Sequence, residues 1–283
     1  MTSFNRIPCL LLLRITALLA CLLGLFGSMA SAAPPDTLDH DGRRLALVIG
    51  NADYDFAPLR NPVNDARAMA DTLERLGFDV IRIENANLGA MLDAIRRFTL
   101  KARSSDVRLF YYAGHGVQVD GRNYLIPIGS EIRSDDEISR KSADMSALVD
   151  QLGRLHGGLN ILILDACRNN PFKDAAFKTA DGRLIRFRGS TQSGLAAMEA
   201  PQGTLVAFST APGAVAMDGQ NYRNSLYTRH LLDHIATPGL PVEQMFKRVR
   251  IAVAQETRRL QIPWESSSLM GDFCFRPADT GLC

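Results

Sequence analysis

Apolar and polar residues alternate along the chain in blocks that predict strands separated by amphipathic helices. Five short runs are rich in apolar residues, as strands buried within a sheet are. They are RRLALVIGN (43–51), FDVIRIEN (78–85), DVRLFYYAG (106–114), LNILILDA (159–166) and GTLVAFST (203–210). Because helical patterns fill most of the segments between them, the sequence predicts an α/β fold with a mainly parallel sheet and helices on both faces.

The helical segments have apolar residues at spacings of three and four. The first predicted helix begins at about Pro62 and stops at Gly77. Its apolar face consists of Val63, Ala66, Met69, Ala70 and Leu73. Further helices are predicted over 87–104, 142–158, 226–236 and 241–259. A hairpin is predicted to turn at Asp120–Gly121, and the segment from Arg168 to Pro201 is predicted to be irregular.

Residues 1–33 are predicted to be a secretory signal peptide, followed by a polar linker over 34–42. They contain two arginines, no acidic residue, an apolar run over 15–26, and the small residues Ala30 and Ala32 before the cleavage point. An uncleaved anchor helix is the alternative, although the run is short for a bilayer span. Cleavage would leave an exported protein, periplasmic or secreted, with no stable insertion in the membrane.

Net charge and cysteine content narrow the function classes. The chain has 32 basic and 30 acidic residues. Removing the two leader arginines leaves no net charge, so there is no electrostatic reason to expect nucleic acid as a partner. In an oxidising compartment Cys274 and Cys283 could form a disulfide, which leaves Cys167 as an odd thiol, either inert or reactive. Nothing in the sequence fixes the oligomeric state.

His115 and Cys167 are the strongest candidates for chemistry. Each lies where a predicted strand ends, and catalytic groups gather at the carboxyl ends of parallel strands. A cysteine attacks as a thiolate, and a neighbouring histidine can accept its proton and return it to a leaving amine. The glycines beside His115 would let the backbone turn and a substrate carbonyl approach. The alternative is a histidine that only hydrogen-bonds a loop.

Four motifs occur in the order RLALVIGN, NPVNDARAM, FYYAGHG and LDACRNNPF. Over about residues 43–275 they resemble the caspase-like domain of bacterial metacaspase-type proteins, in the clan that contains caspases, legumains and gingipains. The resemblance implies a caspase–haemoglobinase fold and cysteine endopeptidase activity, with 276–283 as a C-terminal tail. It matches Cys167 to the nucleophile and His115 to the general base and acid. It also matches the N–H groups of Gly116 and Cys167 to the oxyanion hole.

The resemblance further implies protein or peptide substrates with Arg or Lys before the cut, held in an acidic pocket. Asp65 and Asp165 match the pocket acids, and Asp218 is a weaker match. Carboxylates bind a guanidinium through charge-assisted hydrogen bonds. Each also has an ordinary interpretation, as a first-turn helix acid, a turn cap or a turn residue. Ala113 stands where many metacaspases have Ser, so one polar contact of that pocket is missing.

The segment 168–200 lies where caspase relatives have the linker between their large and small parts. Its basic residues include Lys173, Lys178, Arg183, Arg186 and Arg188. An Arg/Lys-specific enzyme would cut itself here during maturation; a solvated basic loop is the alternative. Calcium activates many metacaspases, so calcium activation is implied by the resemblance alone. The sequence itself has no calcium loop of recognisable spacing and requires no metal or cofactor.

Other interpretations stay open. His230 and His234 of HLLDH resemble a zinc-peptidase motif, but Asp233 is shorter than the glutamate base of that motif and no third ligand follows at a suitable spacing. The domain could be a catalytically weak or inactive binding or scaffold module, although such relatives usually lack the cysteine or the histidine. It could instead hydrolyse a small acyl or amide compound. Trp264 is expected to pack rather than to line the cleft.

Overall fold

The fold is a mainly parallel sheet whose strands alternate with helices. A computed structural model describes residues 42–167, 176–178, 184–186, 195–211, 222–281 and 283. At Cys167 and over 176–178 and 184–186 it describes the backbone only. The strands are β1 Arg44–Gly50, β2 Phe78–Glu84, β3 Val107–Val119, β4 Arg122–Leu125, β5 Ala143–Asp144, β6 Leu159–Cys167, β7 Ala176–Lys178, β8 Leu184–Arg186, β9 Thr204–Phe208 and β10 Trp264–Ser267. The helices are α1 Pro62–Arg75, α2 Leu88–Ala102, α3 Asp135–Lys141, α4 Met145–Gly153, α5 Leu226–Ile235 and α6 Val242–Glu256. Of the helices in these ranges, none combines the length and the apolar character needed to cross a membrane.

The strand order across the sheet is β10-β9-β6-β3-β1-β2. β1, β2, β3, β6 and β9 run parallel, and β10 runs antiparallel to β9. β4 pairs with the far end of β3 and with β5. This order confirms the predicted α/β fold, and it places the carboxyl end of β6 beside β3 at His115, at the edge of the sheet where sites form in parallel sheets.

Both faces of the sheet are covered, because successive residues of a strand point to opposite faces. Leu45, Leu47 and Ile49 of β1 belong to the core cluster that includes α2 and α4. Ala46 and Val48, between them, belong to the cluster that includes α1, α5 and α6. Positions 45–50 of β1 are all buried and only Arg44 is half-exposed, which explains why such strands are visible in the sequence as apolar runs.

α1 is positioned by a close approach to the end of β1. A Cβ added to Gly50 would lie 2.6 Å from the Cβ of Ala66, so only glycine allows this distance between strand and helix. The helix begins at Pro62, as predicted, since its first turn needs no N–H from that residue. The buried face differs from the predicted one: Val63 is half-exposed, whereas Pro62, Asp65 and Thr72 are buried.

Several short elements are absent from the prediction. α3 and β5 precede α4, and α4 begins at Met145, three residues later than predicted. β7 and β8 form a small antiparallel hairpin inside the segment predicted to be irregular. β10 follows the last helix, α6, and pairs with β9. These elements are too short or too polar to produce a readable hydrophobic period.

β3 is longer than the predicted third strand. It continues through His115 to Val119, turns at Asp120–Gly121 and returns as β4. The turn is the predicted one, and both of its residues have positive φ, 49° and 76°, as a two-residue hairpin turn requires. His115 therefore lies within a strand, with hydrogen-bonded strands on both sides, and not in a loop after it.

The C-terminal segment is tied to the sheet. Cys274 and Cys283 form the disulfide that the sequence leaves open. Phe273 and Phe275 are buried in the cluster that contains α1, α5 and α6. The guanidinium of Arg44, at the start of β1, donates to the carbonyl oxygen of Phe275 over 2.7 Å. The chain is thus part of the domain core as far as Phe275, where the C-terminal tail begins.

Candidate active site

The backbones of His115 and Cys167 meet at the carboxyl edge of the sheet. In the register of β3 and β6 the two residues are direct partners, and Cys167 is the last residue of β6. Neighbouring strands are about 4.8 Å apart, so two side chains at paired positions can contact each other. The sequence places both residues at strand ends; the structure agrees for Cys167 and places His115 inside β3.

The imidazole of His115 is oriented by a backbone carbonyl. Its Nε2 lies 2.7 Å from the carbonyl oxygen of Ala57, in the loop between β1 and α1. A carbonyl can only accept, so Nε2 carries the hydrogen in the neutral ring and Nδ1 has a free lone pair. Among the groups that the structure describes, Nδ1 has no hydrogen-bond partner although it is buried. Nδ1 is therefore the nitrogen available as a base.

Burial keeps this ring neutral. His115 is only 4% exposed. Desolvation lowers the pKa of His115 to about 4, and the hydrogen bond to Ala57 offsets part of that effect. Two aromatic rings of the same loop cover it: Tyr54, with 4.4 Å between ring centroids, and Phe56, stacked at 6.2 Å. At neutral pH the ring can accept a proton, as a general base must.

The glycines beside His115 allow close packing. The sharp turn expected at these glycines is absent, because β3 continues through them. A Cβ on Gly116 would lie 2.9 Å from Cδ2 of Leu195, which is buried against this part of β3. Gly114, with φ of 155°, lies beneath two tyrosine hydroxyls. The side chain of Leu195 thus packs directly on the strand that contains the histidine.

Asp65 and Asp165 come together around one residue at the start of α5. Asp65 is 1% exposed and accepts hydrogen bonds from the N–H of Ser225 and from Nδ2 of Asn224, each over 2.9 Å. Asp165 is 9% exposed and accepts from the hydroxyl of Ser225 and, over 2.8 Å, from the hydroxyl of Thr228. The structure therefore brings these two predicted acids to one place, two residues before Cys167 along β6.

The two carboxylates also affect the pKa of a buried tyrosine next to them, Tyr111. The hydroxyl of Tyr111 lies 2.6 Å from that of Thr228. The pKa of Tyr111 is raised well above its usual range, first by burial and then by the negative charges of Asp65 and Asp165. Ala113 is paired with Asp165 in the β3–β6 register and is buried, so the missing serine hydroxyl would have been next to that carboxylate.

The remaining predicted residues have separate outcomes. Asp218 lies outside the described residues, as do Lys173, Arg183 and Arg188; Lys178 and Arg186 are on β7 and β8. Trp264 is 48% exposed on β10, so the expected packing involves only about half of its surface. Its strand partner is Phe208, at the end of β9.

In the HLLDH motif on α5, Asp233 is exposed and Leu231 is in the core, while His230 and His234 are half-buried. Nε2 of His230 contacts a carboxylate oxygen of Glu256 on α6 at 2.9 Å, and Nδ1 lies 3.6 Å from Asp233. The pKa of His234 is lowered, mainly by burial. In the part of the chain that the structure describes, no group of three His, Cys, Asp or Glu side chains is arranged to hold a metal ion. His230 thus takes part in a hydrogen bond between two helices.

Sequence reasoning missed the Ala57 carbonyl and the contacts of Asn224 and Ser225. Any residue has a backbone carbonyl, and the positive φ of Ala57, 47°, is unusual for alanine and has no signature in the sequence. Ser225 could have been recognised as a helix cap, because its hydroxyl accepts from the N–H of Thr228. Its contacts with Asp65 and Asp165 could not have been recognised, because both acids are remote from it in the chain.

This sheet, with its edge formed by the ends of β3 and β6, defines a caspase–haemoglobinase-type α/β domain. The family described as caspase domain matches residues 43–274. The chain therefore belongs to the caspase-domain family of cysteine peptidases, as the four sequence motifs indicate.

Individual relatives and a solved structure are similar at low identity. The mucosa-associated lymphoid tissue lymphoma translocation protein 1 homolog of Mus musculus is 23% identical over 209 residues, which cover 71% of this chain and 23% of the mouse protein. Its human counterpart is 24% identical over 195 residues, 68% of this chain and 22% of that protein. The chain thus spans less than a quarter of the length of these relatives. The crystal structure of caspase-1 from Spodoptera frugiperda has a TM-score of 0.60 at 17% identity, covering 89% of this chain and 96% of that one, which shows the fold.

Proposed function

We propose that this caspase-family domain is an exported cysteine endopeptidase that cuts after Arg or Lys through a His115–Cys167 dyad, as metacaspase-type proteins do. The observation that carries the proposal is the register of β3 and β6, which pairs the two residues at the carboxyl edge of the sheet. The hydrogen bond from Nε2 to Ala57 supports it further, because it reserves Nδ1 for proton transfer.

In the proposed reaction Nδ1 of His115 accepts the proton of the Cys167 thiol, and the thiolate attacks the carbonyl carbon of the scissile bond. The N–H groups of Gly116 and Cys167 stabilise the oxyanion of the tetrahedral intermediate. Collapse breaks the C–N bond, and the imidazolium returns its proton to the leaving amine. Water, deprotonated by His115, then hydrolyses the thioester and regenerates the thiol.

A pocket for a basic side chain is supported by the position of Asp65 and Asp165. Both carboxylates are buried, and both accept hydrogen bonds from Ser225. Two negative charges in a poorly solvated place favour a cation between them, and a guanidinium or ammonium group supplies it. Asp218 is a third candidate for this pocket.

Export and maturation complete the proposal. Residues 1–33 act as the signal peptide and direct the protein to the periplasm or the medium, which suits the Cys274–Cys283 disulfide because such bonds persist in oxidising compartments. The basic segment 168–200 is cut by the enzyme itself. No cofactor is required, and calcium acts at most as an activator. Intact-mass measurement of the purified protein over time tests self-cleavage: a single unchanged chain with full activity would exclude it.

A panel of fluorogenic peptides that differ only in the residue before the cut tests the activity. Arg, Lys, Asp and Leu peptides are incubated with the wild type, Cys167→Ala and His115→Ala, with calcium and with a chelator. We expect cleavage of the Arg and Lys peptides alone, lost in both variants. Preference for Asp would contradict the pocket while leaving the dyad intact. Cleavage of none of the peptides by the folded wild type would favour a binding or scaffold module.

A further inference from the structure

Two tyrosine hydroxyls hold the backbone of His115. The N–H of His115 donates to the hydroxyl of Tyr54 over 3.0 Å. The hydroxyl of Tyr112 donates to the His115 carbonyl oxygen over 2.7 Å. The two hydroxyls are 3.2 Å apart, and that of Tyr54 also donates to the carbonyl oxygen of Ile126 over 3.1 Å. Both backbone polar groups of the histidine are thus fixed by side chains, in addition to its strand partners.

Gly114 makes this arrangement possible. A Cβ at this position would lie 2.6 Å from the hydroxyl of Tyr112 and 2.7 Å from that of Tyr54, and the backbone φ of 155° is unfavourable for any other residue. Any side chain here would displace both hydroxyls. The glycine that precedes the histidine is therefore matched to the two tyrosines.

Tyr54 also acts on the ring through its own loop. Its ring is 4.4 Å from the imidazole, and Ala57, three residues later, accepts the hydrogen of Nε2. Asn85 anchors the loop, since its Oδ1 accepts the N–H groups of Ala52 and Asp53 over 2.9 and 3.2 Å. The loop thus holds the histidine at three points: its backbone N–H, its ring face and its Nε2.

We propose that Tyr54, supported by Tyr112, is a positioning residue for the peptidase reaction, which fixes His115 with Nε2 on Ala57 and Nδ1 available to the thiol. This inference rests on the proposed function for its kinetic part only. In this role Tyr54 acts through His115 and needs no contact of its own with the substrate. It acts by limiting the rotation and displacement of the imidazole, and displacements near 1 Å reduce rates by about 100-fold.

The test compares Tyr54→Phe with a matched control, Tyr124→Phe. Both tyrosines belong to one small buried cluster, but the hydroxyl of Tyr124 interacts with Arg122 rather than with His115. We expect Tyr54→Phe to reduce kcat about 10- to 100-fold with KM nearly unchanged, at an unaltered circular dichroism spectrum. Tyr112→Phe is expected to act in the same direction, and Tyr124→Phe to retain the wild-type kcat.

Imidazole ¹⁵N chemical shifts provide a readout that needs no catalysis. In full-length Cys167→Ala protein at neutral pH, His115 should show a single tautomer with the hydrogen on Nε2, and adding Tyr54→Phe should produce a mixture of tautomers. An unchanged spectrum together with an unchanged kcat would overturn the proposal. If the wild type cleaves no peptide, the proposed function fails, and the ¹⁵N comparison still decides whether Tyr54 positions the ring.

Discussion

His115 and Cys167 are partners in the β3–β6 register although they are far apart in the chain. The register is set well below them, where apolar residues such as Leu109 and Ile161 are paired in the buried centre of the sheet. Since side chains alternate along a strand, a shift of one residue would turn the cysteine to the opposite face of the sheet. The hydrophobic core thus decides which two residues meet at the edge.

Alkylation provides a direct check on the dyad. In protein expressed without residues 1–33, Cys167 is the single thiol outside the Cys274–Cys283 disulfide. We expect iodoacetamide to add one group per non-reduced chain at pH 7. His115→Gln should slow the reaction about tenfold or more, because the imidazole no longer accepts the thiol proton. Mass spectrometry measures both rates, with Cys167→Ser as the unreactive control; equal rates with and without His115 would contradict the dyad.

Charge removal at Asp165 checks the pocket. Asp165→Asn keeps an oxygen that can accept from Ser225 and Thr228 but removes the negative charge. We expect kcat/KM for Arg and Lys peptides to fall about 10- to 100-fold, the usual effect of losing a charge-assisted hydrogen bond. Asp71→Asn, at an exposed acid paired with Arg82, is the control and should have no effect. An equal loss for peptides of every charge would indicate a folding defect instead.

The pH dependence of stability follows from the lowered pKa of His115. In the unfolded chain the ring binds a proton near pH 6.5, whereas in the fold it stays neutral down to about pH 4. Its contribution to stability is therefore complete above pH 6.5 and is lost as the pH falls towards 4, by about 3 kcal/mol.

Urea unfolding of the wild type and His115→Gln at pH 7 and pH 4 measures this loss. The glutamine variant has no titrating ring, so its free energy of unfolding should fall by about 3 kcal/mol less over this range. Parallel losses in the two proteins would mean that burial does not hold the ring neutral.

The C-terminal disulfide should stabilise the domain without affecting catalysis. Closing the loop between Cys274 and Cys283 is worth about 2 kcal/mol, because it restricts the unfolded chain. Cys283→Ser is therefore expected to lower the melting temperature by about 5 °C and to leave kcat/KM unchanged. Differential scanning calorimetry with and without reductant measures the shift. Identical melting of oxidised and reduced wild type would contradict it.

The sequence predicts the central sheet well, because strands buried on both faces, such as β1 and β6, require apolar residues at nearly every position. It does not predict β10, where the residues Trp264–Ser267 are mostly polar and pairing with β9 alone defines the strand. β7 and β8 are hidden for the same reason. Such elements depend on neighbours that are remote in the chain, and their own composition contains no period.

The candidate site divides in a similar way. His115 and Cys167 are recognisable because a thiol and an imidazole at strand ends have the chemistry of a catalytic dyad, and Asp65 and Asp165 because they match motifs of the family. The partner of Nε2 is a backbone carbonyl, so residue type gives no information about it. The role of Gly114 is also invisible beforehand, since it depends on two tyrosine hydroxyls brought together from β3 and from the loop after β1.

Gly50 affects the position of Asp65 as well as its own contact with α1. It has room for a hydrogen atom only, because α1 lies against it at Ala66. A methyl group there would clash with Pro62 and Ala66 and push the first turn of the helix away from the strand. The carboxylate of Asp65 would move with that turn. The proposed charge preference of the pocket therefore depends also on Gly50, a residue that contributes no charge of its own.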